Sequence, residues 1–321
     1  MNAMAAAVKT DTMKAVRIHQ HGGPEVLKYE DAPRPKPAAD ELVVKVHATG
    51  VNPVDWKVRE GHLERFLHHS LPLTPGWDFS GVVEALGAGA TRLKVGDEVY
   101  AKPDLARNGA YAEYIAVRES EVAMKPRSLD HIHAASIPLA ALTAWQSLFD
   151  AANLQAGQRV LIHAAAGGVG IFAVQLAKWA GAYVIGTASA RNHDFLHGLG
   201  VDEFVDYQEV HFEDAIDDVD VVFDLVGGQT QLRSWGVLKK GGIMVSIVSP
   251  PQQQHADSHG VRQAFVFVQP NAGQLDRIAE LVEAGKLETV VETVLPLCEA
   301  RKAQELSQAG HTRGKMVLRV V

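Results

Sequence analysis

The chain has 321 residues, enough for about two domains, with 47% apolar and 21% charged residues and a net charge of −7. Its 31 lysines and arginines are scattered rather than clustered, which argues against nucleic acid or an anionic membrane as a partner. The single cysteine, Cys298, excludes an internal disulfide framework and a Cys-rich zinc site and fits a reducing cytoplasm.

Residues 1–12 lack the apolar core of a secretory signal and are expected to be a flexible extension. From Met13 to about Ser128 the pattern is β-like. Short apolar runs at 14–18, 41–48, 81–86 and 112–117 are separated by turn signals such as Gly22-Gly23-Pro24 and residues 87–89. Residues 13–128 therefore predict a mostly β domain. The rhythm changes next. The apolar stretch 134–149 is shorter than the roughly 20 residues of a membrane span and carries Pro138, Thr143 and Gln146, so it reads as one buried helix. After it, buried strand candidates at 159–164, 183–187, 203–205, 220–225, 242–248 and 264–268 alternate with helices. Uniformly apolar strands between helices are the pattern of a parallel sheet covered on both faces, so 129–270 predicts a doubly wound α/β domain. Residues 250–255 read as a polar loop. A helix (274–284), a strand (290–297), a helix (299–309) and a strand (315–320) complete the chain.

The strongest local signal is Ala164-Ala165-Ala166-Gly167-Gly168-Val169-Gly170, directly after a strand and before an amphipathic helix. Ala165, Gly167 and Gly170 take the three key positions of the dinucleotide fingerprint, where small residues allow a tight turn, close approach to pyrophosphate and close helix–sheet packing. The helix N-terminus, with Gly168 and Val169, offers N–H groups and a positive dipole end to phosphate. An NAD site usually has an acid at the end of the next strand. Here that strand runs out in Thr187-Ala188-Ser189-Ala190-Arg191-Asn192. Ser189 can donate a hydrogen bond to a 2′-phosphate and Arg191 can pair with its charge, so NADPH is the expected cofactor.

These residues, with several motifs in order, resemble the zinc-independent quinone oxidoreductase branch of the medium-chain dehydrogenase/reductase superfamily. The motifs are Gly22-Gly23-Pro24-Glu25-Val26-Leu27, Asn52-Pro53-Val54-Asp55-Trp56-Lys57, Pro75-Gly76-Trp77-Asp78-Phe79-Ser80-Gly81, Val95-Gly96-Asp97-Glu98-Val99, Gly109-Ala110-Tyr111-Ala112-Glu113-Tyr114, the glycine turn and Gly310-His311-Thr312-Arg313-Gly314-Lys315. The resemblance implies a GroES-like catalytic domain (13–128, completed by 271–321) and a Rossmann domain (129–270), with NADPH in the cleft between them. It further implies that Asn52 and Lys57 serve the reacting carbonyl as an amide donor and an ammonium. Thr143 would reach a phosphate or the nicotinamide face, and Tyr207 would border the adenosine. Val226, Ile247 and Val248 end strands where ligands bind, or are plain core. Lys315 either faces the cofactor phosphates or simply begins the last strand.

The zinc alcohol dehydrogenases of this superfamily have a Cys near Asn52 and a Gly-His-Glu where Gly76-Trp77-Asp78 stands. The close histidine pairs, His68-His69 and His131-Ile132-His133, lack a third ligand nearby, so no metal is expected. The expected function is zinc-independent, NADPH-dependent reduction of small-molecule quinones or α,β-unsaturated carbonyl compounds, with the acceptor pocket shaped by loops 59–71 and 252–262. A polyketide-type enoyl reductase and an NADPH-binding structural or regulatory protein without turnover are the alternatives. A cytoplasmic homodimer, paired through a strand near 264–268, completes the expectation.

Overall fold

The computed structural model describes residues 11–310 and 312–321, so most of the extension expected over 1–12 lies outside the described residues, as does His311. Asp11 and Thr12 belong to the fold. Asp11 accepts the Arg34 N–H through its carbonyl, and Thr12 opens β1 (Thr12–Arg17), which pairs antiparallel with β2 (Lys28–Pro33). The chain continues through β3 (Glu41–Val51), β4 (Phe79–Leu86), β5 (Glu98–Ala101), β6 (Tyr114–Arg118) and β7 (Val122–Met124). Strand β3 organises this half. Its register with β4 shifts between Val43 and Val44 and again between Val46 and Ala48, and such irregularities bend a strand. Helix α1 (Pro53–Arg59) follows β3 at once, with Pro53 in the first turn, where a missing N–H costs nothing.

The expected single helix over 134–149 is divided. Helix α2 (His131–Ala135) stops two residues short of Pro138, α3 (Pro138–Trp145) starts on it, and Gln146–Ala151 winds on as a wider turn. Proline cannot donate an N–H to the preceding turn, and its ring crowds that turn, so it begins a helix here instead of continuing one. The break also frees the N–H of Leu139, which donates to the buried carboxylate of Asp78 at 2.5 Å.

Strands β8 (Arg159–Ile162), β9 (Tyr183–Ala188), β10 (Glu203–Asp206), β11 (Val219–Asp224), β12 (Leu238–Ser246) and β13 (Arg262–Phe265) form a parallel sheet in the order β10-β9-β8-β11-β12-β13. Helix α4 (Gly170–Trp179), buried from Gly170 to Ala177, packs under it. The strand order reverses between β8 and β11, so a crevice opens outside their carboxyl ends. The expected polar loop at 250–255 is partly helical: Gln253–His259 makes two short turns ended by Gly260 at φ 64°. The buried Ala256 and the stacking of His255 and His259 on Trp235 anchor it.

The tail returns to the first sheet. β14 (Val291–Pro296) pairs parallel with β15 (Lys315–Arg319), and β15 pairs antiparallel with the carboxyl end of β3. On the way Gly314 donates its N–H to the Ala166 carbonyl at 2.9 Å, tying the tail to the turn after β8. That bond brings the two halves together at the crevice.

Candidate functional site

The turn between β8 and α4 is built by three different constraints. At Gly170 a Cβ would stand 2.5 Å from the carbonyl oxygens of Ala164 and Ala165, so glycine there lets the helix sit on its own turn. At Gly168 a Cβ would meet the Lys315 side chain at 3.0 Å and the Gly314 carbonyl at 3.3 Å, so glycine there admits the returning tail. At Gly167 the nearest atom is the Ala164 carbonyl at 3.2 Å; little protein fills the space outside it. Ala164, a non-glycine residue at φ 48°, holds an uncommon left-handed conformation of the kind found at ligand sites. Ala165 is wholly buried and donates its N–H to the Thr187 carbonyl, so it packs the turn against β9 and does not face the crevice.

Two cavities meet at this turn, sharing Ala164, Gly167, Gly310 and Thr312 in their walls. The smaller, about 360 Å³, is lined by Ser189, Arg191, Asn192, Tyr207 and Arg313 among others. Arg313, whose motif is visible in the sequence but whose role is not, donates from Nε to Asn192 Oδ1 at 2.9 Å and from Nη2 to the Arg191 carbonyl at 3.0 Å. This end is cationic. The Asp206 carboxylate lies close by but accepts the N–H groups of Ala190 and Gln208.

The larger cavity, about 980 Å³, is lined by Asn52, Lys57, Thr143, Gly167, Gly168, Val169, Gly170, Ile247, Val248 and Lys315 from the expected set. Val226 lines neither cavity: it stands 48% exposed beyond β11. Thr143 contributes a wall but spends its hydroxyl on the Leu139 carbonyl at 2.6 Å. Of the two loops expected to shape the pocket, 59–71 does so through His62, Leu63, Phe66 and Leu67, whereas 252–262 contributes no wall residue. Its helix is turned onto Trp235 instead.

At the inner end, Asn52 is 2% exposed and held from two sides. Its Nδ2 donates to Asp78 Oδ2 at 2.8 Å, and the Lys315 ammonium donates to its Oδ1. Lys315 also lies 3.5 Å from Asp78. It begins β15, as one expectation had it, and its charge is directed at Asn52 and Asp78. Burial pushes the Asp78 carboxyl up, against the pull of Lys315, Asn52 and the Leu139 N–H. Lys57 is half-buried with no carboxylate partner among the described residues, and burial lowers its pKa.

Beneath Asn52, Asp55 Oδ2 accepts the Asn52 N–H and the Tyr111 hydroxyl, both at 2.8 Å, while Oδ1 has no partner. Burial raises its pKa to about 7, outweighing these two bonds. Because the folded pKa exceeds the unfolded value, the native state binds the extra proton between about pH 4 and 7, and this group's contribution to stability falls as pH rises through that window. Asp55→Asn is therefore expected to gain on the wild type in urea-denaturation free energy from pH 4 to 7; parallel curves would show that Asp55 does not titrate there.

The donor set does not suit a zinc ion. Trp77 is fully buried and donates its indole N–H to the Arg107 carbonyl. The Lys315 ammonium beside Asn52 and Asp78 already brings a positive charge to the spot. Cys298 is exposed. His69 bonds the Leu105 carbonyl, His131 bonds Ser80 and stacks on His47, and His133 bonds Asp130. Among the described residues no three His, Cys, Asp or Glu side chains converge to hold a metal, and no helix is long and apolar enough to cross a membrane.

The chain is similar along nearly its whole length to known oxidoreductases. Residues 38–127 match the family of alcohol dehydrogenase GroES-like domains, and residues 199–318 match the family described as zinc-binding dehydrogenase. The chain is 34% identical to the mitochondrial NAD(P)H oxidoreductase RTN4IP1 of Bos taurus, over 98% of this chain and 90% of that protein. It is 36% identical to the chloroplastic NADPH-dependent alkenal/one oxidoreductase of Arabidopsis thaliana, over 99% of this chain and 82% of that one. Among solved structures, the quinone oxidoreductase from Coxiella burnetii superposes with a TM-score of 0.90 at 38% identity, covering 97% of this chain and all of that one.

Proposed function

The chain belongs to the quinone-oxidoreductase branch of the medium-chain dehydrogenase/reductase superfamily, and on that premise we propose that it is an NADPH-dependent reductase of quinones and α,β-unsaturated carbonyl compounds. The observation that carries this reading is the continuous crevice, which joins a cationic end at Arg191 and Arg313 to a largely apolar chamber holding Asn52 and Lys57. NADPH fits the residues present. The open face of Gly167 would admit the pyrophosphate, and Ser189, Arg191 and Arg313 would hold the 2′-phosphate, with Tyr207 alongside the adenosine. When bound, the nicotinamide supplies a hydride.

The chain's own residues do the rest. Hydride acceptance puts negative charge on the acceptor oxygen, and donors fixed in advance around that oxygen lower the barrier. Asp78 and Lys315 lock the Asn52 amide, so no reorientation is needed as charge develops. Lys57, without a carboxylate to neutralise it, adds a positive field. Apolar walls keep water away and strengthen both effects. The residues at Asn52 and Trp77 supply no zinc ligands, so no step is routed through a metal. The lone cysteine fits a reducing cytoplasm, and the open edge of β13, the last strand of the parallel sheet, fits a homodimer.

The test is NADPH oxidation at 340 nm with a panel of quinones and enones, repeated with NADH and with a chelator. Turnover that prefers NADPH and ignores the chelator is expected. Asn52→Ala should lower kcat by about 10²–10³, the range for loss of one preorganised donor, and Arg191→Glu should cut the NADPH-over-NADH preference at least tenfold, about 1.4 kcal/mol. Tight NADPH binding with no turnover of any acceptor would favour a binding role instead.

A further inference from the structure

Lys102, directly after β5, is 2% exposed and yet lines the larger cavity. No hydrogen bond or salt bridge to its ammonium exists among the described residues. The other buried lysines are provided for: Lys315 by Asn52 and Asp78, and Lys125 by the carbonyls of Pro126 and Leu129 and by Glu98. The carboxylates whose charge reaches Lys102 are committed elsewhere. Asp78 serves Asn52, Leu139 and Lys315. Asp104 accepts from Ala106 N–H and Arg118, and Glu121 accepts from Asp104 N–H and Arg118. The cavity wall itself contains three lysines and no Asp or Glu and is otherwise largely apolar, with Leu105 and Leu139 among its residues. A buried, unpaired ammonium is costly, and a bound anion relieves that cost.

We propose that Lys102 recognises an anionic group on the acceptor, so that the preferred substrate is an enone or quinone bearing a carboxylate away from its conjugated carbonyl. This rests on the reductase reading and names its substrate class. Lys102 binds the anionic group of the acceptor, while Asn52 and Lys57 attend the reacting oxygen. Burial lowers the Lys102 pKa to about 8, with Asp104, Glu121 and Asp78 pulling the other way. The lysine is charged below that pH and neutral above it. Preference for the anionic acceptor therefore falls as pH rises through about 8. Lys57 and His62 share the cavity, and a neutral acceptor of equal shape reports any effect of theirs.

The matched pair is 4-carboxybenzalacetone and its methyl ester, compared as the ratio of kcat/KM with NADPH. In the wild type the acid is preferred at pH 7 and loses its advantage above pH 8. Lys102→Met is expected to lower the acid-to-ester ratio at least tenfold, and Lys102→Arg to restore part of it. A ratio unchanged within twofold, or a rise in the KM for NADPH in place of a change in ratio, overturns the proposal. If the wild type reduces neither compound nor any quinone or enone of the panel, the reductase reading fails on its own account. Calorimetric titration of the acid into the NADPH-loaded protein then decides for Lys102: at least tenfold weaker binding to Lys102→Met supports it, and equal or absent binding refutes it.

Discussion

Replacing Lys315 by methionine is expected to lower the unfolding free energy by about 3–5 kcal/mol, the cost of removing one partner of a buried ion pair, and to remove most turnover. Both Lys315 and Asp78 are almost inaccessible, at 3% and 0% side-chain exposure. Without the lysine, the Asp78 carboxylate keeps only the Asn52 amide and the Leu139 N–H, and Asn52 loses the donor on its oxygen. The deficit should depend on pH with a definite sign. Burial already raises Asp78 above the usual carboxylate range, and Lys315 opposes it; removing Lys315 raises it further. The native variant then binds a proton that its unfolded chain releases, so its stability recovers relative to the wild type as pH falls through the raised Asp78 range. Adding Asp78→Asn should return part of the loss at pH 7, because the buried charge is gone. Urea titrations of the two single variants and the double variant check this. Additive losses would show that the two groups do not interact.

Alanine at Gly167 and at Gly170 is expected to separate cofactor binding from folding. At Gly170 the new methyl collides with two backbone oxygens at 2.5 Å, so α4 must move. Overpacking of this kind costs about 1–3 kcal/mol, and the shifted helix end weakens NADPH binding as well. At Gly167 the nearest atom is the Ala164 carbonyl at 3.2 Å and φ is not positive, so a shift of a few tenths of an ångström admits the methyl and the loss of stability should be smaller than at Gly170, about 1 kcal/mol or less. The methyl there projects into the crevice, and the Kd for NADPH should rise at least tenfold, about 1.4 kcal/mol. Thermal unfolding and nicotinamide-fluorescence titration read the two effects separately. Wild-type affinity in Gly167→Ala would remove this turn from the phosphate site.

Much of the fold is legible in the order and spacing of apolar residues. The first five strand candidates, 159–164, 183–187, 203–205, 220–225 and 242–248, fall on strands of one parallel sheet, because strands covered by helices are apolar along much of their length. The sixth, 264–268, overlaps β13 only at Ala264 and Phe265, because this exposed edge strand opens with the polar Arg262 and Gln263. The expectation of one helix over 134–149 fails for a local reason. Its hydrophobicity is continuous, but Pro138 divides it. The polar stretch at 250–255 conceals a helix whose only buried residue is Ala256, and a single small apolar residue leaves no periodic pattern to find.

The candidate site divides along the same line. The turn 164–170, the donors Ser189 and Arg191, and the order of the motifs can be read directly, since each depends on neighbours in the chain. The strand that Lys315 begins is equally legible, but its partners are not: its contact with Asn52 spans 263 positions. Arg313 reaches Arg191 and Asn192 across more than 120. Lys102 carries no signal at all, because a lysine after a strand is ordinarily solvated, and only tertiary packing shows that it is buried without a partner. By itself the sequence determined the two kinds of sheet and the glycine turn after β8, which follow from local periodicity and spacing, and the family, through its resemblance in a set of ordered motifs. Tertiary structure alone decided which charges neutralise one another and which are left to meet a ligand, because electrostatic pairing depends on distance through space and on burial, neither of which is encoded by position along the chain.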